Sequence, residues 1–193
     1  MNDIRMKYRV ILASASPRRK EILSKTGIPF ETIVSGCDEN INIKEPDRLV
    51  TELARLKALD VFKGNKDALV IGSDTVVAHR GKIMGKPETR EHAFRMIRDF
   101  AGDTHQVYTG VCVAVPDGRI FNYNICTNVN VTELSDEEIE RYLDSGEYKD
   151  KAGAYAIQGL FAPYISSIEG DYYNVVGLPI SSLYGILKEF IWN

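Results

Sequence analysis

Along the N-terminal half of the chain, the apolar positions switch repeatedly between a strand-like and a helix-like period. Tyr8 to Ser14 is a short, nearly continuous apolar run and reads as a buried strand. Ser16 and Pro17 then make a helix start, a capping hydroxyl followed by a proline whose missing N–H costs nothing at the first helical position. That helix is expected to end near Gly27. A strand over Phe30–Ser35, a polar loop and an amphipathic helix from Pro46 to Phe62 follow, the helix carrying Leu49, Leu53, Leu56 and Val61 near one face. The run Ala68–Ser73 predicts a strand that delivers Asp74. Thr75 to Met84 has the pattern of a hairpin turning at Arg80-Gly81, and a helix over Arg90–Phe100 stops at Gly102.

The second half changes character. Two long β runs, His105–Val115 and Arg119–Thr132, are joined by the turn sequence Pro116-Asp117-Gly118. Ser135–Ser145 reads as a helix opened by a capping box, Ser135 with Glu138 three residues on. A glycine-containing stretch over 153–159, a β segment near Phe161–Ile168 and a last helix after Pro179 complete the chain. No repeat, low-complexity segment or linker-like boundary divides it, so residues 1–193 are read as one domain. The mixture of βα units with long antiparallel hairpins predicts an α/β fold: an elongated mixed sheet flanked by helices, with two lobes around a central cleft.

Composition narrows the chemistry. Apolar residues at 44% and charged residues at 26% are ordinary for a globular protein. A formal charge of -3 argues against a surface that coats nucleic acid, whose affinity rests on many Lys and Arg contacts to phosphate. Any cationic site must therefore be local. Cys37, Cys112 and Cys126 are widely spaced, with no CxxC and no histidine at ligand spacing, which points away from a disulfide framework or a zinc site. Val10 to Ala13 is too short for a signal-peptide core or a membrane span, so a cytoplasmic protein without a membrane partner is expected.

One place concentrates positive charge. A helix N-terminus presents unpaired N–H groups and the positive end of the helix dipole, yet Arg18 and Arg19 lie in the first turn, where cations oppose that dipole. An anion bound by the arginines and the N–H groups together explains this better than stability does. The plainer alternative is two solvated arginines beside a strand end, Ser14, and a cap, Ser16. Asp74 is expected at the C-terminal end of a parallel strand, where open α/β sheets place their sites, and can hold a divalent metal or activate water; it can equally be a turn former. Asp38 and Glu39 lie in a loop, where solvated charges are the usual state, and by themselves they argue only weakly for a site. Lys57 and Lys86 gain meaning only beside an anion. In Asp150-Lys-Ala-Gly-Ala-Tyr-Ala-Ile-Gln-Gly159, small residues would let backbone approach a ligand, and Gln158 can read a base edge with one donor and one acceptor. A serine hydrolase has little support, because there is no GxSxG and His79, His92 and His105 fall on separate elements; Walker A, GxGxxG and HExxH are absent too.

Six motifs in order carry a resemblance along almost the whole chain: Ser14-x-Ser-Pro-Arg-Arg19, Gly72-Ser-Asp-Thr75, Gly85-Lys-Pro87, Thr109-Gly-Val, the 150–159 stretch and Gly177-Leu-Pro179. Together they resemble the Maf family of septum-formation-type nucleotide pyrophosphatases, whose fold is similar to that of inosine triphosphatases. The resemblance implies an enzyme that splits a nucleoside triphosphate between the α and β phosphates with a divalent cation, Mg, Mn or Co. It implies that Ser14 and Arg19 hold phosphate, that Lys57 and Lys86 neutralise the triphosphate, that Glu39 and Asp74 hold the metal, and that Asp74 is general base on the attacking water. It implies a homodimer as well. Arg18, Thr75 and Gln158 match the subgroup acting on dTTP and UTP, in which they would set specificity; an amide at 158 suits the O4 and N3–H edge shared by uracil and thymine. Ser73 stands where Ala is common and Ala156 where Gly is common, and neither removes a ligand. A purine-directed pyrophosphatase and a non-catalytic nucleotide-binding regulator of cell division are the rival expectations.

Overall fold

The computed structural model describes residues 4–192. One mixed sheet organises it. Strands β1 (Arg9–Ala13), β2 (Glu31–Thr32), β3 (Ala68–His79), β5 (Thr104–Ala114), β6 (Ile120–Val131) and β7 (Ile165–Glu169) lie in the order β2-β1-β3-β5-β6-β7, and β4 (Lys82–Met84) pairs with the far half of β3. β1 runs parallel to the first half of β3, from Arg9 beside Ala68 to Ala13 beside Gly72. Past that point β3 continues as the first arm of the hairpin with β4. The predicted strand and hairpin arm are thus one 12-residue strand, and Asp74 sits within it, just beyond the end of its parallel partner.

The two faces of the sheet are built differently. One is covered by α2 (Pro46–Lys63), whose buried residues are Val50, Leu53, Ala54, Ala58 and Val61; the predicted stripe of Leu49, Leu53, Leu56 and Val61 is rotated from the real one. The cause is the partner. A Cβ built on Gly72 would lie 2.2 Å from the Ala54 carbonyl oxygen, and one on Gly110 2.1 Å from that of Val50. The helix backbone therefore rests directly on β3 and β5, and small residues, not leucines, occupy the contact.

The opposite face carries two apolar cores. Leu69, Ile71, Val111 and Val113 pack with α1 (Pro17–Ser24) and α6 (Ile180–Leu187) at one end. At the other end Val77, Val107 and Val129 pack with α3 (Arg90–Phe100) and α4 (Asp136–Asp144). Between them the same face presents Ser73, Thr75 and Thr109. This polar interruption is the division between the two lobes.

Local signals behave as their chemistry demands. Ser16 caps α1 with Pro17 behind it, Thr89 caps α3, and Ser135 and Glu138 complete the expected capping box of α4. Three expectations need correction. The strand over Phe30–Ser35 shrinks to Glu31–Thr32, because β2 is an edge strand that makes only two pairings to β1. The segment near Phe161–Ile168 starts as a 3-10 turn at Ala162–Tyr164 before β7. A short helix, α5 (Tyr172–Val176), capped by Asp171, precedes the one after Pro179. Cys37, Cys112 and Cys126 are all free thiols.

Because Gly110 meets helix backbone, Gly110→Ala is expected to destabilise the protein by about 3 kcal/mol or more, at or above the usual cost of overpacking. Gly36→Ala, with nothing within 4 Å of the added carbon, should stay within about 0.5 kcal/mol of the parent. Urea unfolding of both variants checks this; equal midpoints would contradict the tight seat of α2.

Candidate functional site

A cleft of about 640 Å³ opens over the polar interruption. Its walls include Arg18, Arg19, Asp74, Thr75, Lys86 and Gln158, so six of the nine residues singled out from sequence line one space. Ser14 and Lys57 do not line it but touch Arg19 and Asp74, which do, and Glu39 is joined to it through Lys57.

The turn from Ser14 to Arg19 lies where β1 ends beside Gly72. Ser14 is buried, and its Oγ accepts the Ser16 N–H at 3.1 Å. Ser16 Oγ in turn accepts the Arg19 N–H. The Arg19 guanidinium is clamped on three sides: Nε donates to the Gly177 carbonyl at 2.9 Å, one terminal nitrogen to Thr75 Oγ1 at 3.0 Å and the other to Ser14 Oγ at 3.5 Å. Burial lowers the Arg19 pKa from its ordinary value, with Asp74 pulling the other way and Arg18 adding to the fall. Arg18, one residue earlier, is exposed on the cleft wall. The turn therefore holds one clamped arginine and one exposed one. Thr75, a specificity residue by the resemblance, is bonded to Arg19.

Across the sheet, α2 brings Lys57 to Asp74. Lys57 Nζ lies 2.7 Å from Asp74 Oδ1 and 2.8 Å from Glu39 Oε2. The Lys57 and Asp74 side chains retain only 12% and 15% exposure, whereas Glu39 retains 54%. Two carboxylates thus converge on a single cationic centre, here an ammonium. Among the described residues no group of three or more His, Cys, Asp or Glu side chains could hold a metal ion. A pair of carboxylates is nonetheless the donor set suited to Mg, which completes its shell with water and substrate phosphate oxygens.

The remaining wall comes from the segment after α4. The Gly153 N–H donates to the Gly85 carbonyl at 3.0 Å, tying this segment to the Gly85-Lys86-Pro87 stretch that carries Lys86. Asp150 and Ala154 hold left-handed backbone at φ of 59° and 63°, a strained conformation that clusters at ligand sites. Gln158 is exposed to the cleft, on a loop pinned by Glu147, whose carboxylate accepts the Leu160 N–H at 2.9 Å and the Tyr142 hydroxyl at 3.3 Å. Glu147 went unremarked in the sequence. Gly177, Thr109 and Asn174 had no role there either, because Gly177 and Thr109 act through long-range contacts to Arg19 and Thr75, and Asn174 through Thr109, which no local pattern announces.

The histidines stand apart from the serines. His79 pairs with Asp103 at 3.0 Å, and the His92 backbone N–H binds the α3 cap. Fully buried His105 stacks on Phe100 and bonds the Tyr155 hydroxyl at 2.7 Å; burial pushes its pKa down to about 3, so it stays neutral. None is bonded to Ser14 or Ser16.

Known proteins match nearly all of this chain. The family model described as "Maf-like protein" matches residues 9–190. A "dTTP/UTP pyrophosphatase" of Lachnoclostridium phytofermentans is 46% identical over 188 residues, covering 95% of each chain. One of the same name from Thermoanaerobacter sp. is 48% identical over 183 residues, covering 94% of this chain and 96% of its own. That of Bacillus anthracis is 46% identical over 183 residues, with 94% and 95% covered. A solved nucleoside-triphosphatase/dITP/XTP pyrophosphatase of Mycobacterium abscessus aligns with a TM-score of 0.43 at 12% identity, covering 72% of this chain and 95% of that one, too distant to carry an argument.

Proposed function

The chain belongs to the Maf family, and from that premise we propose that it is a pyrophosphatase hydrolysing dTTP and UTP to the monophosphate and pyrophosphate. The observation that carries this reading is the cleft itself, where Arg18, Arg19 and Lys86 share one space with Asp74 and the amide of Gln158. Phosphoryl transfer is largely positioning and charge neutralisation, so such a wall needs few further groups. The relatives carrying the name dTTP/UTP pyrophosphatase support the substrate class.

In this reading Ser14 and Arg19 hold phosphate, and Lys57 and Lys86 neutralise the triphosphate. Asp74 takes a proton from water, whose oxygen bonds to the α-phosphorus. The bond from that phosphorus to the bridging oxygen breaks, and pyrophosphate leaves with that oxygen. Glu39 and Asp74 fit a divalent cation and would hold it; when bound it supplies neutralisation of charge on the phosphate oxygens. Of the specificity set that the resemblance implies, Arg18 and Gln158 would face the base, with Gln158 on the pyrimidine edge, whereas Thr75 is bonded to Arg19. A cytoplasmic homodimer acting on free nucleotides, without nucleic acid or membrane as partner, completes the proposal. The net charge of -3 supports the absence of nucleic acid, and no helix among the described residues is long and apolar enough to cross a membrane.

Product analysis on UTP with Mg tests the reaction. UMP plus pyrophosphate is expected, and Asp74→Asn should lower kcat by about a hundredfold or more while nucleotide binding largely persists. UDP plus orthophosphate, preference for ITP over UTP, or full activity in Asp74→Asn would overturn it.

Lys57 and a divalent cation compete for the same two carboxylates. Lys57→Met is therefore expected to bind Mn(II) about tenfold more tightly than the parent in the absence of nucleotide, from the loss of one positive charge at contact distance. Free Mn(II) measured by electron paramagnetic resonance checks this. Unchanged or weaker binding would remove Glu39 and Asp74 as a shared metal site.

A further inference from the structure

We propose that Thr75 and Thr109 form a one-way hydrogen-bond chain that fixes the Arg19 guanidinium, making Thr109 a positioning residue for phosphate binding and making Thr75 act through Arg19 instead of contacting the base. The proposal rests on the phosphate role given to Arg19 above and deepens it.

The direction of the chain follows from what each group can donate. A guanidinium has only N–H donors, so Thr75 Oγ1 accepts from Arg19 at 3.0 Å. A backbone carbonyl only accepts, so the single proton of the Thr109 hydroxyl goes to the Asn174 carbonyl at 2.9 Å. The Thr75–Thr109 contact at 2.9 Å must then carry the Thr75 proton to Thr109. Each hydroxyl donates once and accepts from its neighbour, and the sequence of donors runs from the cleft into the core. The other acceptor near Thr75, the Gly177 carbonyl at 3.4 Å, is farther away and also lies on the Arg19 side. In both settings the Thr75 proton goes to an acceptor within the protein and is not offered to a base carbonyl.

The inner end of the chain is rigid. Asn174 is fully buried, and its side-chain amide donates to the Val107 carbonyl and to Thr127 Oγ1, both at 2.9 Å. Thr127 in turn clasps the Asp171 backbone through two bonds of 3.0 and 3.1 Å. The helix cap, β5 and β6 are thereby joined behind Thr109. On β5 the flanking positions on this face are Val107 and Val111, both buried in the apolar cores. Valine has nearly the shape of threonine, so a hydroxyl at 109, with no exposure to solvent, is there for its hydrogen bonds. With Nε on Gly177 and one terminal nitrogen on Thr75, the guanidinium has a single orientation, and its remaining N–H groups face Ser14 and the cleft. Pre-setting a phosphate ligand in this way lowers the cost of ordering it on binding.

The test compares Thr109→Val, Thr109→Ser and Thr75→Val with the parent in two readouts: the affinity for inorganic pyrophosphate by calorimetry, and the ratio of kcat/KM for UTP to that for CTP. Thr109→Val and Thr75→Val are both expected to weaken pyrophosphate binding about tenfold, the scale of one hydrogen bond to a charged group, and to leave the UTP-to-CTP ratio within about twofold. Thr109→Ser, which keeps the hydroxyl and changes the packing, should bind pyrophosphate like the parent. Parent-like binding in Thr109→Val overturns the proposal, as does a loss in Thr109→Ser equal to that in Thr109→Val. So does a Thr75→Val variant whose UTP-to-CTP ratio collapses with pyrophosphate binding intact. Failure of the parent to turn over UTP and dTTP would overturn the function proposed above, and the pyrophosphate arm, which needs no turnover, would still decide this one.

Discussion

The backbone of α2 lies on Gly72 and Gly110 with no side chain between, and the rest of the site depends on that contact. Any Cβ at either position would overlap the Ala54 or Val50 carbonyl. Gly72 ends the parallel pairing of β1 and β3, and Gly110 lies opposite Asp74 across β3 and β5. The two glycines therefore bracket Asp74, and the close seat lowers Lys57 onto its carboxylate. A helix held off by ordinary side chains would sit at a greater distance and leave that lysine short. The stability of one helix–sheet contact and the placement of a charged group are here the same physical fact.

On the opposite face the logic is one of omission. An uninterrupted apolar alternation along β3 and β5 would have fused the two cores. Ser73, Thr75 and Thr109 break it, and buried hydroxyls demand partners. Arg19, Gly177 and Asn174 supply them, so that Arg19 and Gly177 line the cleft between the cores already fixed in direction, with Asn174 buried behind. The charged parts lie on both faces, with Arg19 on one and Lys57, Asp74 and Glu39 on the other, and they meet where β1 stops and β3 continues.

Much of this was legible in the residues. The caps at Ser16 and Ser135, the turn at Pro116-Asp117-Gly118 and the long second hairpin follow from local chemistry, and the structure repeats them. The Arg18-Arg19 pair stands out in the sequence through its conflict with the helix dipole, and both residues line the cleft. The stripe of α2 did not read correctly, because leucines are the default for a helix face and the real contact selects alanines against glycine. The 12-residue β3 reads as two pieces because Asp74 looks like the end of the apolar run, whereas the strand only exchanges one partner for another. Thr75 reads as a specificity residue by likeness to a subgroup; its bonds to Arg19 and Thr109 join it to residues 56 and 34 positions away, which no local pattern announces.

The claim that the nucleotide lies over the polar interruption, between the two cores, can be tested by hydrogen–deuterium exchange with α,β-methylene-UTP, an analogue that resists cleavage between the α and β phosphates. The account predicts slower exchange at residues 14–19 and 150–159, which form the turn and the loop of the cleft. Protection confined to the separate groove around Tyr8, Phe30 and Trp192, with both of those segments unchanged, would contradict it.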